Sequence, residues 1–149
     1  GVSHEAELTL RDHTPSDHNF IMDSWGSSYY QGSSAHQVMP PSLFHSFHRP
    51  LREKLLEKPN MKIQVYCNPD DPWHIVGWIA FESLPDCFIL HYVYVKDTFR
   101  LHGIGRQLLS KVVPASNRVV MTHLTYSASK IMGTHYHYFQ RFKYVPHAL

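Results

Sequence analysis

Between Cys87 and Val113 the chain reads CFILHYVYVKDTFRLHGIGRQLLSKVV, and few folds can accept that stretch. From Cys87 to Val95 every residue except His91 is apolar or aromatic, the pattern of a buried central strand. A short polar turn follows, then Arg100-Leu101-His102-Gly103-Ile104-Gly105, after which Ile104, Leu108, Leu109, Val112 and Val113 recur at helical spacing. The glycines therefore sit where a strand hands over to a helix. Glycine there lets the backbone turn tightly and bare its N–H groups, and the unpaired first-turn amides of a helix, with its positive dipole end, favour an anion such as a phosphate. Neither GxGxxG nor GxxxxGK followed by Ser or Thr is present, so the two common nucleotide loops are excluded.

Residues 1–149 are read as a single domain, long enough for a complete core and without repeat or linker. Fourteen basic against twelve acidic residues leave a net charge of +2, which gives no case for nucleic-acid or membrane binding. No apolar run approaches the roughly 20 residues that span a bilayer. Cys67 and Cys87 form no CxxC, and the N-terminus has no basic-plus-apolar leader, so a reducing, cytoplasmic setting is expected.

The remaining chain reads as strands and helices in an order that suits a mixed sheet. Glu7 to Arg11 alternates as a short strand. Thr14, Pro15 and Asp17 stand at the N-cap, first and third positions of a helix with Phe20, Ile21 and Trp25 on its buried stripe, ended by Gly26. Residues 26–41, rich in Ser and Gly, read as a long loop. Ser42 to Lys58 is helical with Phe44, Phe47, Leu51 and Leu55 on one face; Pro50 either kinks one helix or opens a second. His45 and His48 read as surface or rim residues. Met61–Cys67 and Ile75–Glu82 form a hairpin around Asn68-Pro69-Asp70-Asp71-Pro72, and Leu84-Pro85-Asp86 turns the chain into the central strand. After the glycine-started helix come a turn at 114–117, a strand from Arg118 to Leu124 and a helix from Ser127 to Phe139.

Three features together are similar to the GCN5-related N-acetyltransferase (GNAT) family. They are R-x-x-G-x-G directly after a strand ending V-Y-V, the strand–strand–strand–loop–helix order, and the tail YFQRFKYVP, a variant of the family's F-Y-E-K-L-G-F-x-x-P signature. The resemblance runs from Glu7 to about Pro146. It implies an α/β (α+β) fold with a mixed, mostly antiparallel sheet, helices on both faces and strands parted near Val93 to Val95. It also implies acetyl-CoA as donor, its pantetheine along Val93, Tyr94 and Val95 and its pyrophosphate at Arg100, Leu101, His102, Gly103, Ile104, Gly105 and Arg106. The implied activity is acetyl transfer to a primary amine of a small molecule, peptide or protein, by direct attack in a ternary complex. By the same resemblance Trp25, Tyr29 and Tyr30 are acceptor contacts, though each reads equally well as packing. Two departures stand out. Phe139 occupies the place of a tyrosine that protonates the departing thiolate, and the closing pair of strands is shortened, leaving a sheet edge that a second copy of the chain in a homodimer would cover. Phe139 keeps open the alternative of a non-catalytic CoA-binding or interaction module.

For the chemistry, His91 is the one ionisable side chain inside the apolar strand, and a neutral imidazole can accept a proton near neutral pH, so it is either a general base or a hydrogen-bonded core residue. His123 in the next strand either pairs with it or acts alone through water; in place of Phe139 the thiolate leaves unaided, through water, or with a proton from Tyr138 or a histidine such as His135. Strict alternation places Tyr94 on the opposite face from His91. His135 and His137 are two apart on a helix and point about 200° apart, so no metal site is expected.

Overall fold

The structure, a computed structural model, describes residues 8–100, 102–115 and 118–146. Six strands form one sheet in the order β1 (Thr9–Asp12), β2 (Met61–Asn68), β3 (Asp71–Ser83), β4 (Cys87–Val95), β5 (Arg118–Met121) and β6 (Phe142–Tyr144). The first four pair antiparallel, and β5 and β6 join in parallel. The tight β2–β3 turn lets both strands run further than their apolar cores, with Asn68 Oδ1 accepting from the Asp70 N–H at 2.9 Å. Among the described residues a single three-residue strand, β6, closes the sheet on that side.

Two helices cover one face, α1 (His18–Gly32) and α3 (Pro41–Leu56), with the short α2 (Ala35–Val38) between them. On the other face lie α4 (Ile104–Val112), α5 (Tyr126–Thr134) and α6 (Tyr136–Phe139). Ile21, Trp25 and Leu55 pack on Val65, Trp78 and Tyr92 in one core; Ile104, Leu108 and Phe139 pack on Ile79, Phe81 and Leu90 in the other. Among the described residues no helix is long and apolar enough to cross a membrane.

Several expectations about the helices and one about a strand need correction. Gly26 does not end α1; it lies against Arg52, whose guanidinium would be 2.7 Å from a Cβ placed there, and the helix runs on to Gly32. Residues 26–41 are therefore mostly helical, not a long loop. α3 is one helix through Pro50, and its buried face is Phe44, His48, Arg52 and Leu55, while Phe47 is exposed. The predicted helix 127–139 is broken at His135 (φ −115°, ψ 50°) into α5 and α6, and the strand expected to reach Leu124 stops at Met121.

At Gly77 the absence of a side chain lets β3 pass close to β4 and α4. A Cβ there would stand 2.5 Å from the Tyr94 carbonyl oxygen and 3.3 Å from Leu108 Cδ1. Gly77→Ala should cost about 1–3 kcal/mol by overpacking, read as a lower urea midpoint; an unchanged midpoint would mean the strands have slack there.

Candidate functional site

The site begins where two strands part. β4 stays paired with β3 out to Gly77↔Val95, but its pairing with β5 ends at Leu90↔Met121, followed by one bond from the Thr122 N–H to the Leu90 carbonyl at 3.2 Å. The parting thus starts at His91, earlier than Val93. Beyond it, alternate peptide groups of β4 face the gap instead of a strand. The same residue is a bulge: Ala80 pairs with Tyr92 and Phe81 with Leu90, so His91 is extra. An extra residue resets the alternation. Leu90 accordingly packs on the α4 side while Tyr92 and Tyr94 pack on the α1 side, and the expectation that Tyr94 opposes His91 fails for this reason.

Past Val95 a 3₁₀ turn (Asp97–Phe99) leads to the glycine-started helix. Arg100 pins this turn, its Nε donating to the Val95 carbonyl at 2.9 Å while its guanidinium pairs with Asp97. Gly103 caps α4 with φ +73°, a left-handed conformation that explains glycine without any steric argument, since nothing lies within 4 Å of its missing Cβ. Ile104 and Leu108 anchor α4 in the core. Gly105 brings that turn close, its virtual Cβ 3.7 Å from Val95 Cγ2. A cavity of about 260 Å³ opens beside this helix, lined by Gly103, Arg106, Gln107, Ser110 and Tyr138. Arg106 stands 5.8 Å over the Tyr138 ring. His102 is exposed, Val93, Tyr94 and Val95 are half-buried, and Leu101 lies outside the described residues.

On the α1 side of the sheet runs a continuous polar chain. Arg52, 3% exposed, meets His48 Nδ1 through one guanidinium nitrogen. A guanidinium only donates, so Nδ1 accepts and His48 carries its proton on Nε2. That N–H faces His123 Nε2 at 2.9 Å, which leaves the His123 proton on Nδ1, 3.1 Å from the Thr122 hydroxyl. Thr122 donates in turn to His91 Nδ1 at 2.9 Å, and His91 Nε2–H donates to Glu82 Oε2 at 2.7 Å, where Lys58 Nζ also arrives at 3.1 Å. A donor-only cation at one end and a carboxylate at the other give every bond the same direction and set the tautomers of three histidines.

Electrostatics agree with this assignment. Burial, then the charges of His123 and Arg52, push His48 down to about 3. Burial, with His91 and Arg52 adding to it, pushes His123 down to about 3. His91 is also lowered, burial outweighing the opposing pull of Glu82. Burial raises the Glu82 carboxyl, but hydrogen bonds from His91 and Lys58 more than offset it, so the group stays ionised.

The structure separates the sequence-derived candidates. His91 is fully buried with both ring nitrogens engaged, which puts it out of reach of a substrate, and His123 is engaged in the same way. Trp25 is a core residue, stacked on Tyr92 at 5.7 Å, and Tyr30 is buried with its hydroxyl donating to the Met39 carbonyl. Tyr29 is the half-exposed member of that group. Its ring lies 4.7 Å from His123 and 5.2 Å from His48, and burial, aided by Tyr144 and Tyr92, pushes its phenol up to about 12. Phe139 is sealed in the core against Phe142, Tyr136 is exposed, and Tyr138 stands at the α4 cavity. Sequence reasoning missed Arg52, Thr122, Glu82, Lys58 and Tyr144, and it misplaced His48 on the surface. The available signal was the i, i+4 spacing of Phe44, His48 and Arg52, masked because polar residues were not counted toward a buried face.

The sequence pattern of the acetyltransferase (GNAT) family matches residues 19–126. No curated protein sequence matches the chain. Among solved structures, YycN from Bacillus subtilis superimposes with a TM-score of 0.68 at 13% identity, covering 88% of this chain and 90% of that one. The ribosomal-protein-alanine N-acetyltransferase from Brucella melitensis biovar Abortus 2308 gives a TM-score of 0.56 at 14% identity, over 85% of this chain and 89% of that one. At these identities the likeness speaks to the fold alone.

Proposed function

Because the chain belongs to the acetyltransferase (GNAT) family, we propose that it moves an acetyl group from acetyl-CoA to a primary amine by direct attack in a ternary complex. The observation that carries this reading is the parting of β4 from β5 beside a helix that starts on a left-handed glycine. An open strand edge can take amide hydrogen bonds from an extended pantetheine arm along Val93, Tyr94 and Val95. The bared amides of Ile104, Gly105 and Arg106, with Arg100 and His102 flanking, suit the pyrophosphate. Tyr138, at the cavity beside Gly103 and Arg106, fits a contact to the donor better than the role of acid. Tyr29 is the acceptor contact that remains after burial removes Trp25 and Tyr30.

Calorimetry with acetyl-CoA tests the donor site. A Gly103→Val, Gly105→Val double variant should lose at least about 100-fold in affinity, since a β-branched residue at φ +73° displaces the turn and side chains then crowd the amides. Unchanged affinity in a folded double variant would refute the placement. Phe139 keeps a second reading in view, a CoA-binding module without turnover, because a core phenylalanine supplies no proton. Thiol release on adding an amine separates the two.

A further inference from the structure

We infer that Thr122 is a positioning residue for the donor: its hydroxyl, joined to the His91 ring, pins the closed end of the cleft and so sets how far β5 stands from the β4 edge at Val93 to Val95. This rests on the acetyl-CoA reading above and concerns what holds the donor slot at its width.

At that closed end the backbone is a weak frame. On one side of β4 the ladder to β3 skips His91, since Phe81 pairs with Leu90 and Ala80 with Tyr92. On the other side the ladder to β5 stops at Leu90↔Met121, with one further bond from the Thr122 N–H to the Leu90 carbonyl at 3.2 Å. His91 thus lies outside the regular ladder on both sides, where side chains carry more of the restraint. β5 ends at Met121, so the wall that faces β4 beyond the vertex is the irregular segment that starts at Thr122.

Side chains supply the missing frame. The two ring nitrogens of His91 are bonded to two different strands. Nε2–H donates to Glu82 of β3 at 2.7 Å, and Nδ1 accepts from Thr122, just past β5, at 2.9 Å. An imidazole is flat and rigid, so this pair of bonds spans β4 at a fixed distance. The Thr122 hydroxyl has one hydrogen, given to His91, and its oxygen also accepts from His123 Nδ1–H at 3.1 Å. His123 is tied in turn to His48 of α3 at 2.9 Å. One hydroxyl therefore joins the two walls of the cleft to each other and to the helix behind them. Thr122, His91, Glu82 and His123 are at most 5% exposed, so a bond lost here is not replaced by bulk water.

The donor reading makes this vertex matter. With the pyrophosphate at the start of α4, the pantetheine arm runs back from Val95 toward Val93, which brings its thioester to the vertex end. The arm must fit between β4 and the segment after Met121, whereas the nucleotide lies beyond both. A shift at Thr122 is then felt by the arm and not by the nucleotide.

Calorimetry tests this by comparing acetyl-CoA with 3′-phospho-ADP, the same nucleotide without its pantetheine arm. Thr122→Val keeps the shape and removes the hydroxyl. It should weaken acetyl-CoA by about tenfold, the size of one hydrogen bond, and leave 3′-phospho-ADP within about twofold of wild type. Thr122→Ser restores the hydroxyl and should recover acetyl-CoA binding to within about threefold. Ile63→Val, a loss of packing in β2 two strands from β4, should lower the melting temperature without weakening either ligand. A folded Thr122→Val chain with wild-type affinity for acetyl-CoA overturns the inference, as does equal weakening of both ligands or failure of Thr122→Ser to recover binding. If Thr122→Val does not fold, the wild-type protein decides. The imidazole nitrogen resonances of His91 should move on adding acetyl-CoA and stay in place with 3′-phospho-ADP; resonances unmoved by acetyl-CoA, or moved equally by both, overturn the inference and leave the donor site standing. Wild-type protein that does not bind acetyl-CoA overturns both.

Discussion

Lowering the pH from 7 to 5 should cost this protein about 2 kcal/mol of folding stability for each of His48 and His123, about 4 together. The sign follows from where the protons go. An unfolded histidine titrates near 6.5, whereas both of these are held at about 3 by burial and by neighbouring cationic or protonated groups. Between those values the unfolded chain binds more protons than the folded one, so their contribution is complete above about pH 6.5 and is lost as the pH falls toward 3. Glu82, itself lowered, adds a second loss further down the acid range, once its own carboxyl begins to protonate. Urea unfolding at half-unit intervals gives the slope directly. His48→Phe, whose ring can keep the stacking on Phe44 now made at 4.8 Å, should be less stable at pH 7 and should lose less on going to pH 5. A wild-type curve flat from pH 7 to 5 would show that these imidazoles are hydrated in solution and that the polar chain is not formed as described.

Glu82→Ala should destabilise the protein by about 3–5 kcal/mol. It strands the His91 Nε2–H in a site with no exposure and removes the partner of Lys58, leaving donors with nothing to accept. Glu82→Gln keeps an oxygen for His91 and should cost about 1–3 kcal/mol. Lys58→Ala, at a side chain one-third exposed, should stay near about 1 kcal/mol. The order Ala, Gln, then Lys58→Ala is the informative part. If Glu82→Ala unfolds within about 1 kcal/mol of wild type, water replaces the carboxylate and the chain of fixed tautomers is broken at its acceptor end.

What the sequence determined by itself were the features that depend on local periodicity and backbone conformation. The run from Cys87 to Val95 is apolar on both faces, and only a central strand buries both; Gly103 precedes an amphipathic stretch, and only glycine caps it at φ +73° without strain. From these the mixed sheet, the α4 start and the proposed donor loop were legible. Thr14 and Asp17 also stand as their spacing requires, the Thr14 N–H donating to the Asp17 carboxylate at 2.8 Å. Tertiary structure alone decided the rest. One extra residue at His91 turns Tyr92 and Tyr94 to the α1 side, and alternation cannot show where a bulge falls because that depends on register with β3. Gly26 looked like a helix end but accommodates Arg52 from another helix, and His48 looked exposed until Arg52 and His123 supplied partners for both its nitrogens. A buried polar side chain is stable only when partners arrive from distant positions, here 75 residues apart between His48 and His123. No window of sequence contains that pairing. The cleft therefore owes its proposed donor side to a local motif, and the buried polar chain beside it exists only once α3, β3, β4 and β5 have packed together.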